Sequence, residues 1–314
     1  MMNVLPELYD QSNNLQKQDS QFILQSLKND YDKRHIGLLI DVGCGSGNIT
    51  QDIVHCVDVD KAMGLDLNQP MVEYAQKIYG NKVLSFHLGD ICDQWDKVSS
   101  IPGIVENGVD IVTSSYCLHW VSDQSKAMSN VARMLKPGGK CYLTMFSWSQ
   151  LLPIQEQITF HPRWANIFRQ HLATDPEEKP TIKQTNSELE MPIRARRKSS
   201  APFPVFEIPS IEERTKKWSD LCTQCGLDTI EVKVNDSTFT YDDIEGFKGE
   251  LQSLCHYLSY IPEDQRDQFM NDYFEHMDNC YIKRQETLPK VKVDYQFMSV
   301  IARKPSNQSE TSNN

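Results

Sequence analysis

Short apolar runs recur through the first half of the chain, separated by stretches in which apolar and polar residues mix. The runs fall at Leu38–Ile40, Ala62–Leu67, Val83–Leu88, Val109–Thr113 and Cys141–Phe146. Runs of this length bounded by turn residues predict buried parallel strands. The stretches between them are long enough for helices, so the alternation predicts an α/β protein with a mostly parallel sheet and helices on both faces.

Two further strands complete a predicted seven-stranded, Rossmann-like sheet. Pro209–Glu213 reads as a helix start, and that helix runs to Cys225 with Gly226 as its stop. Leu227–Val234 is the sixth predicted strand. Val291–Arg303 is the seventh, and its alternation of apolar and polar residues fits an antiparallel strand at the edge of the sheet.

The same pattern predicts a division of the chain into five parts. Residues 1–35 form N-terminal lid helices, 36–148 the Rossmann-like core, and 149–210 a cap helix with a flexible polar loop. Residues 211–304 return to the core with a helical cap insertion, and 305–314 form a disordered tail. The polar loop carries a basic run that could be a localisation signal, an acid-binding patch or a solvated surface: Arg194, Arg196, Arg197 and Lys198.

The composition of the chain limits the classes of partner that it is expected to bind. The 314 residues carry a formal charge of −11, which is unsuited to gripping phosphate backbones, so nucleic acid is not expected as a substrate. No run is long and apolar enough to predict a membrane span, and the N-terminus lacks signal-peptide features. Nine scattered cysteines favour reduced thiols and a cytoplasmic protein. Cys222 and Cys225 form one C-x-x-C pair, which indicates a buried helix face more than a zinc site, and no metal is expected.

The most informative stretch follows the first strand. Asp41 is followed by Gly43, Gly45 and Gly47, and a helix is predicted from Asn48. A strand that breaks into a glycine turn before a helix cradles nucleotides, because missing β-carbons let the backbone approach and helix N–H groups face the ligand.

Spacing separates two ligand classes. The dinucleotide fingerprint G-x-G-x-x-G places its third glycine where this chain has Asn48. A carboxylate at Asp41 would repel a pyrophosphate but attract an ammonium group. S-adenosylmethionine (SAM) carries an ammonium group and a ribose diol and has no phosphate. The sequence DVGCGSG therefore resembles motif I of the class I SAM-dependent methyltransferases.

Later residues add to this resemblance. Asp66 ends the second strand about 20 residues past the glycines, where an acidic residue binds ribose hydroxyls. In the resembled family, an aspartate at the place of Asp90 accepts from the adenine amino group, and the next residue, Ile91, packs on the ring. Leu67 and Ser114 are further candidate cofactor-binding residues. The sequence Leu-Lys-Pro-Gly-Gly before the fifth strand is another mark of the family.

A finer resemblance covers most of the chain. LYDQSNNLQKQD near the N-terminus, SYCLHW after the fourth strand, ARMLKPGG and Pro162–Trp164 are similar to the insect juvenile hormone acid methyltransferases and their arthropod paralogues. This resemblance implies methylation of the carboxylate of a lipophilic acid, of the juvenile hormone acid, farnesoic acid or fatty acid type. It would place the chain in juvenile hormone biosynthesis.

A carboxylate is already ionised at pH 7, so this reaction needs alignment rather than a general base. Neutral donors orient the acceptor without draining its charge, and Gln16 and Trp120 supply such donors. We therefore predict both as catalytic residues and His119 as a packing or hydrogen-bonding residue. The alternatives are a polar acid of the trans-aconitate type as acceptor, or a non-catalytic SAM-binding partner protein. Gln16 could also be a plain surface residue and Trp120 core filler.

Overall fold

The computed structural model describes residues 6–32, 34–174 and 209–306. The predicted basic run and nearly all of the predicted tail lie outside these residues. The strands are β1 His35–Val42, β2 Asp58–Asp66, β3 Leu84–Leu88, β4 Val109–Ser115, β5 Leu135–Ser149, β6 Asp228–Tyr241 and β7 Val291–Arg303. The helices are α1 Pro6–Ser12, α2 Asn14–Tyr31, α3 Asn48–His55, α4 Gln69–Tyr79, α5 Trp95–Val98, α6 Gln124–Met134, α7 Leu151–Glu156, α8 Ala165–Thr174, α9 Ile211–Gln224, α10 Ile244–Ser253 and α11 Arg266–Cys280.

The strands form one seven-stranded sheet in the order β3-β2-β1-β4-β5-β7-β6. The first five strands are parallel, with β1 between β2 and β4. Ile40 lies beside Met63 on one side and Val112 on the other. The carboxyl ends of these strands therefore share one edge of the sheet, where open α/β sheets bind ligands. The predicted fold class is confirmed.

The last two strands correct one prediction. Gly138 N–H donates to Lys304 C=O over 2.9 Å, and Lys304 N–H donates to Gly139 C=O over 2.9 Å. The start of β5 thus pairs with the end of β7, so β7 runs antiparallel to it, as predicted. However, β7 lies between β5 and β6 rather than at the edge. The strand at this edge of the sheet is β6, and most of its residues are partly or fully exposed.

Helices cover both faces of the sheet because successive strand residues point to opposite sides. Leu39 packs with apolar residues of α2, α3 and α4. Its neighbour Ile40 packs with apolar residues of α6 and α9. The predicted helix after Pro209 is confirmed as α9, and Ser210 and Glu213 form a capping box at its start.

The chain divides into two compact units. Among the described residues, one contains 13–32, 34–147, 209–235 and 296–306 and holds most of the sheet with its covering helices. The other contains the described residues 6–12, 148–174 and 236–295. In this division α1 belongs to the second unit and α2 to the first.

Aromatic side chains form the core of the second unit. The ring of Trp164 lies 5.4 Å from that of Phe269, and its Nε1 donates to Asp272 over 2.9 Å. Phe168 packs edge-on against Tyr257. These contacts all lie within the second unit and stabilise it. Among the described helices, none is long and apolar enough to cross a membrane.

Candidate active site

A tight turn joins β1 to α3 and carries the glycines of the motif. Gly43, Gly45 and Gly47 all have positive φ, at 74°, 53° and 88°. The Gly43 N–H donates to Leu65 C=O over 2.7 Å, which fastens the turn to the end of β2. The turn thus leads the backbone across the carboxyl edge of the sheet and into the N-terminus of α3.

Two of these glycines are required by close neighbours. A β-carbon on Gly43 would lie 2.2 Å from both Cβ and Sγ of Cys117, which follows β4. A β-carbon on Gly47 would lie 2.8 Å from Ala75 and Phe86. The glycine at position 43 therefore makes room for a side chain of the protein itself, in addition to allowing its left-handed backbone.

Asp41 lies beneath the turn and is only 2% exposed. Thr50 donates to its Oδ2 over 2.5 Å and Thr113 to its Oδ1 over 2.7 Å. Burial raises the pKa of Asp41, while these two hydrogen bonds act in the opposite direction. The predicted partner of this carboxylate was a ligand ammonium group. The structure instead gives both of its oxygens partners within the fold, so it joins β1 to β4 and α3.

Asp66 ends β2 and faces the turn. Its Oδ2 accepts from Gly45 N–H over 2.9 Å and its Oδ1 from Asn68 N–H over 2.8 Å. Burial raises the pKa of Asp66, and the backbone hydrogen bonds lower it. Each carboxylate oxygen has a second lone pair, so the group retains the capacity to accept from a diol. The adjacent Leu67 is 50% exposed and lies at the same strand end.

The remaining predicted cofactor residues lie at the ends of β3 and β4. Asp90 follows β3, and its Oδ1 accepts from Cys92 N–H over 2.8 Å. Ile91 is buried and packs in the apolar core under the sheet edge. The Ser114 hydroxyl is also buried and donates to Val42 C=O over 2.8 Å. Ser114 thus joins β4 to β1 through its side chain.

The acceptor groups at the strand ends fit SAM. Two acidic side chains at the strand ends, Asp66 and Asp90, suit a ligand with hydroxyl and amino groups rather than phosphates. The turn between β1 and α3 has the open, left-handed backbone that lets a ligand approach. Asp66 would hold the ribose, Asp90 the adenine edge, and Leu67 and Ile91 would supply apolar contacts.

The helix α2 carries Gln16 and Asp19 one turn apart on one face. Both are buried, at 2% and 3% exposure. Just before this helix, Asn13 exchanges two amide hydrogen bonds with Asn48, each 3.0 Å long. Asn48 begins α3, so this pair fastens α2 to the helix that follows the glycine turn.

Aromatic rings gather after β4, on the short 3-10 helix Leu118–Trp120 and beside it. Tyr116 has a φ of 55°, and its hydroxyl donates to Asp19. The His119 ring lies 5.7 Å from Tyr116, 5.0 Å from Trp120 and 6.1 Å from Phe146. Burial lowers the pKa of His119 to about 3, so its imidazole is neutral.

Side-chain contacts thus link Asp19 to Tyr116, Tyr116 to His119 and His119 to Trp120, and Gln16 lies one helical turn before Asp19. Gln16 is buried, whereas Trp120 is 37% exposed. Sequence reasoning did not assign roles to Asp19 or to Cys117. The position of Asp19 three residues after Gln16 could have placed it on the same helix face, whereas nothing in the sequence links Cys117 to Gly43.

Comparisons with known proteins agree with this geometry. Residues 40–143 match the family model described as a methyltransferase domain. The juvenile hormone acid O-methyltransferase of Drosophila melanogaster is 26% identical over 275 residues, which cover 85% of this chain and 80% of that protein. The protein of the same name from Bombyx mori is 27% identical over 308 residues, which cover 95% of this chain and 96% of that protein.

A solved structure resembles the whole chain. The YcgJ protein from Bacillus subtilis superposes with a TM-score of 0.52 at 15% identity, covering 93% of this chain and 100% of that chain. This likeness shows the fold alone. The family model, rather than this likeness, assigns residues 40–143 to a methyltransferase domain, which uses S-adenosyl-L-methionine.

Proposed function

We propose that the chain methylates the carboxylate of a lipophilic small-molecule acid, of the juvenile hormone acid, farnesoic acid or fatty acid type. The observation that carries this proposal is the likeness to two insect juvenile hormone acid O-methyltransferases. It extends over 85% and 95% of the chain, well beyond residues 40–143 of the methyltransferase domain.

The residues after β4 support an apolar acceptor. The rings of Tyr116, Trp120 and Phe146 each contact His119, whose imidazole is neutral because burial lowers its pKa to about 3. Ligand sites of this kind bury apolar surface and orient the ligand through a few polar groups. An aromatic cluster suits an isoprenoid or fatty chain better than a polar acid with several carboxylates.

The state of His119 supports a carboxylate rather than a hydroxyl acceptor. Bound SAM supplies an electrophilic methyl group on a sulfonium. An ionised carboxylate oxygen can form the new bond to carbon with no proton transfer, whereas a hydroxyl would have to lose its proton to a base. A buried histidine with a pKa of about 3 is a weak base. The protein's part is then to align the acceptor and exclude water.

Gln16 and Trp120 are the proposed donors to the acceptor carboxylate. Both are neutral, so they would fix the orientation of the acceptor without withdrawing its charge. Gln16 lies on the buried face of α2 that meets Tyr116 through Asp19. Trp120 lies on the 3-10 helix beside His119.

A methyl-transfer assay with labelled SAM tests the proposal. The panel contains farnesoic acid, juvenile hormone acid, fatty acids and trans-aconitate, with the alcohol and the amide of each lipophilic chain as matched controls. We expect methylation of lipophilic acids only, with label released by mild alkali as an ester requires. Turnover of trans-aconitate or of the alcohols would contradict the proposal. SAM binding without transfer to any acid would instead favour the non-catalytic partner protein.

A further inference from the structure

We propose that His119, as a neutral imidazole protonated at Nε2, donates a hydrogen bond to the acceptor carboxylate and so helps to select it. This inference rests on the proposed function. It adds a third neutral donor to Gln16 and Trp120, and it follows from the unequal surroundings of the two ring nitrogens.

The Nδ1 atom is buried and has no hydrogen-bond partner among the described residues. A proton there would be a buried donor with no acceptor, which is the costlier kind of unsatisfied group. A doubly protonated ring would contain the same unsatisfied donor, in agreement with the low pKa of about 3 that burial gives His119. The favoured form is therefore the neutral ring with its single proton on Nε2.

The Nε2 atom is in the opposite situation. Within the described part of the chain it makes no hydrogen bond, yet it is absent from the buried side-chain atoms that lack a partner, so part of its surface is accessible. An N–H group that faces accessible space is free to donate to a ligand oxygen. The single proton of the ring thus lies on the side where a ligand can reach it.

The surrounding rings hold this donor in a fixed direction. Tyr116 meets the imidazole edge-on at 88°, and Trp120 and Phe146 lie against it at 42° and 45°. Two residues earlier, Cys117 occupies the space that a side chain at Gly43 would fill. The donor therefore projects from a segment packed directly against the glycine turn.

Two substitutions distinguish the roles of the two ring nitrogens of His119. The amide nitrogen of glutamine reaches about as far as Nε2, and the amide nitrogen of asparagine reaches about as far as Nδ1. With an acid that the wild type methylates, His119→Gln should keep kcat/KM within about threefold of the wild type. His119→Asn and His119→Phe should lose about tenfold to a hundredfold, the effect of one hydrogen bond to a charged group. SAM affinity measured by calorimetry should be the same in all four proteins.

Nitrogen NMR of the histidine-labelled protein gives a readout independent of turnover. At pH 7 we expect a proton on Nε2 and none on Nδ1, with the Nε2 signal shifting when a lipophilic acid is added beside S-adenosylhomocysteine. A proton on Nδ1, an unmoved Nε2 signal, or a glutamine variant as impaired as the phenylalanine variant would overturn the inference. A wild type that methylates other acceptors but no acid would overturn the proposed function instead.

Discussion

The hydroxyl of Tyr116 donates a hydrogen bond to the buried carboxylate of Asp19, joining the segment after β4 to α2 across 97 positions of the chain. Tyr116 has a left-handed backbone with φ of 55°, a conformation that costs a non-glycine residue ~1–2 kcal/mol. The fold maintains this conformation, and the bond to Asp19 is one of the interactions that oppose its cost.

Removing this bond should destabilise the protein. Tyr116→Phe should lower the free energy of unfolding by about 1–3 kcal/mol, because a buried carboxylate loses a donor. In a double-mutant cycle with Asp19→Asn, measured by urea unfolding, we expect a coupling of about 0.5–3 kcal/mol. Strictly additive effects would mean that the two side chains do not stabilise each other.

Three glycine-to-alanine substitutions distinguish the cost of a strained backbone from the cost of steric overlap. Gly43 has positive φ and a β-carbon position blocked by Cys117, Gly226 has positive φ and open space, and Gly249 lies in α10 with open space. Gly249→Ala should stabilise the protein by about 0.5–1 kcal/mol, and Gly226→Ala should cost about 1–2 kcal/mol. Gly43→Ala should cost more than Gly226→Ala and also weaken SAM binding. Thermal unfolding and calorimetry measure both effects, and equal costs at Gly43 and Gly226 would contradict the role of Cys117.

Asp66→Ala should weaken SAM binding by about tenfold to a hundredfold, because it removes hydrogen bonds to a charged acceptor. It also releases the Gly45 N–H that this carboxylate holds at 2.9 Å. Asp60→Ala is the matched control, since Asp60 lies on the same strand, away from the turn, beside the exposed His35. Titration calorimetry with SAM should show a loss for Asp66→Ala alone, and unchanged affinity would remove Asp66 from the cofactor site.

Gln16→Ala and Trp120→Phe should each reduce kcat/KM for a lipophilic acid by about tenfold to a hundredfold, while SAM affinity stays near that of the wild type. Gln25→Ala, at an exposed position of the same helix, and Trp95→Phe, whose ring packs under Arg133, are the controls. If the control variants lose as much activity as the test variants, the assignment of these two donors fails.

The buried His119 makes stability depend on pH. Its pKa is about 3 in the folded protein against an ordinary value of 6.5, so the unfolded chain binds the extra proton. Its contribution is complete above pH 6.5 and is lost as pH falls towards 3, with a slope of at most ~1.4 kcal/mol per pH unit. Urea unfolding should therefore show a shallower loss between pH 6.5 and 4.5 for His119→Gln than for the wild type.

His35 serves as a control because its pKa is shifted in the opposite direction to that of His119. Asp60 and Asp58 raise the pKa of this exposed histidine. Its contribution is therefore present at low pH and is lost as pH rises through its pKa in the folded protein, so His35→Gln should steepen the acid-side loss of stability. A steeper loss for His119→Gln would contradict a buried neutral ring.

The strand and helix pattern was predictable because it depends on local sequence. Buried parallel strands are continuous apolar runs, and the start of α9 carries its own capping box, so both were identified correctly. The strand β6 extends to Tyr241, well beyond the predicted Val234, because an edge strand keeps its pairing while its outer residues turn polar. The order of β6 and β7 depends on which of these two strands pairs with β5. No local sequence signal specifies this pairing.

The candidate site could also be predicted only as far as local sequence motifs allow. Spacing alone placed Asp41, Asp66 and the glycines at one edge of the sheet. The partners of Asp41 come from α3 and β4, and the space above Gly43 is taken by a residue after β4. These contacts join segments far apart in sequence, so only the folded chain shows that Asp41 is held by threonines and that Cys117 requires a glycine.

The paired amides of Asn13 and Asn48 have a consequence for how the site responds to its surroundings. Neither side chain titrates and neither carries a net charge, so changes in pH or ionic strength leave their two hydrogen bonds unchanged. The attachment of α2 to the first turn of α3 therefore does not depend on the charge state of either side chain. Sensitivity to acid therefore comes from the histidines and carboxylates, because two uncharged amides make the contact between α2 and α3.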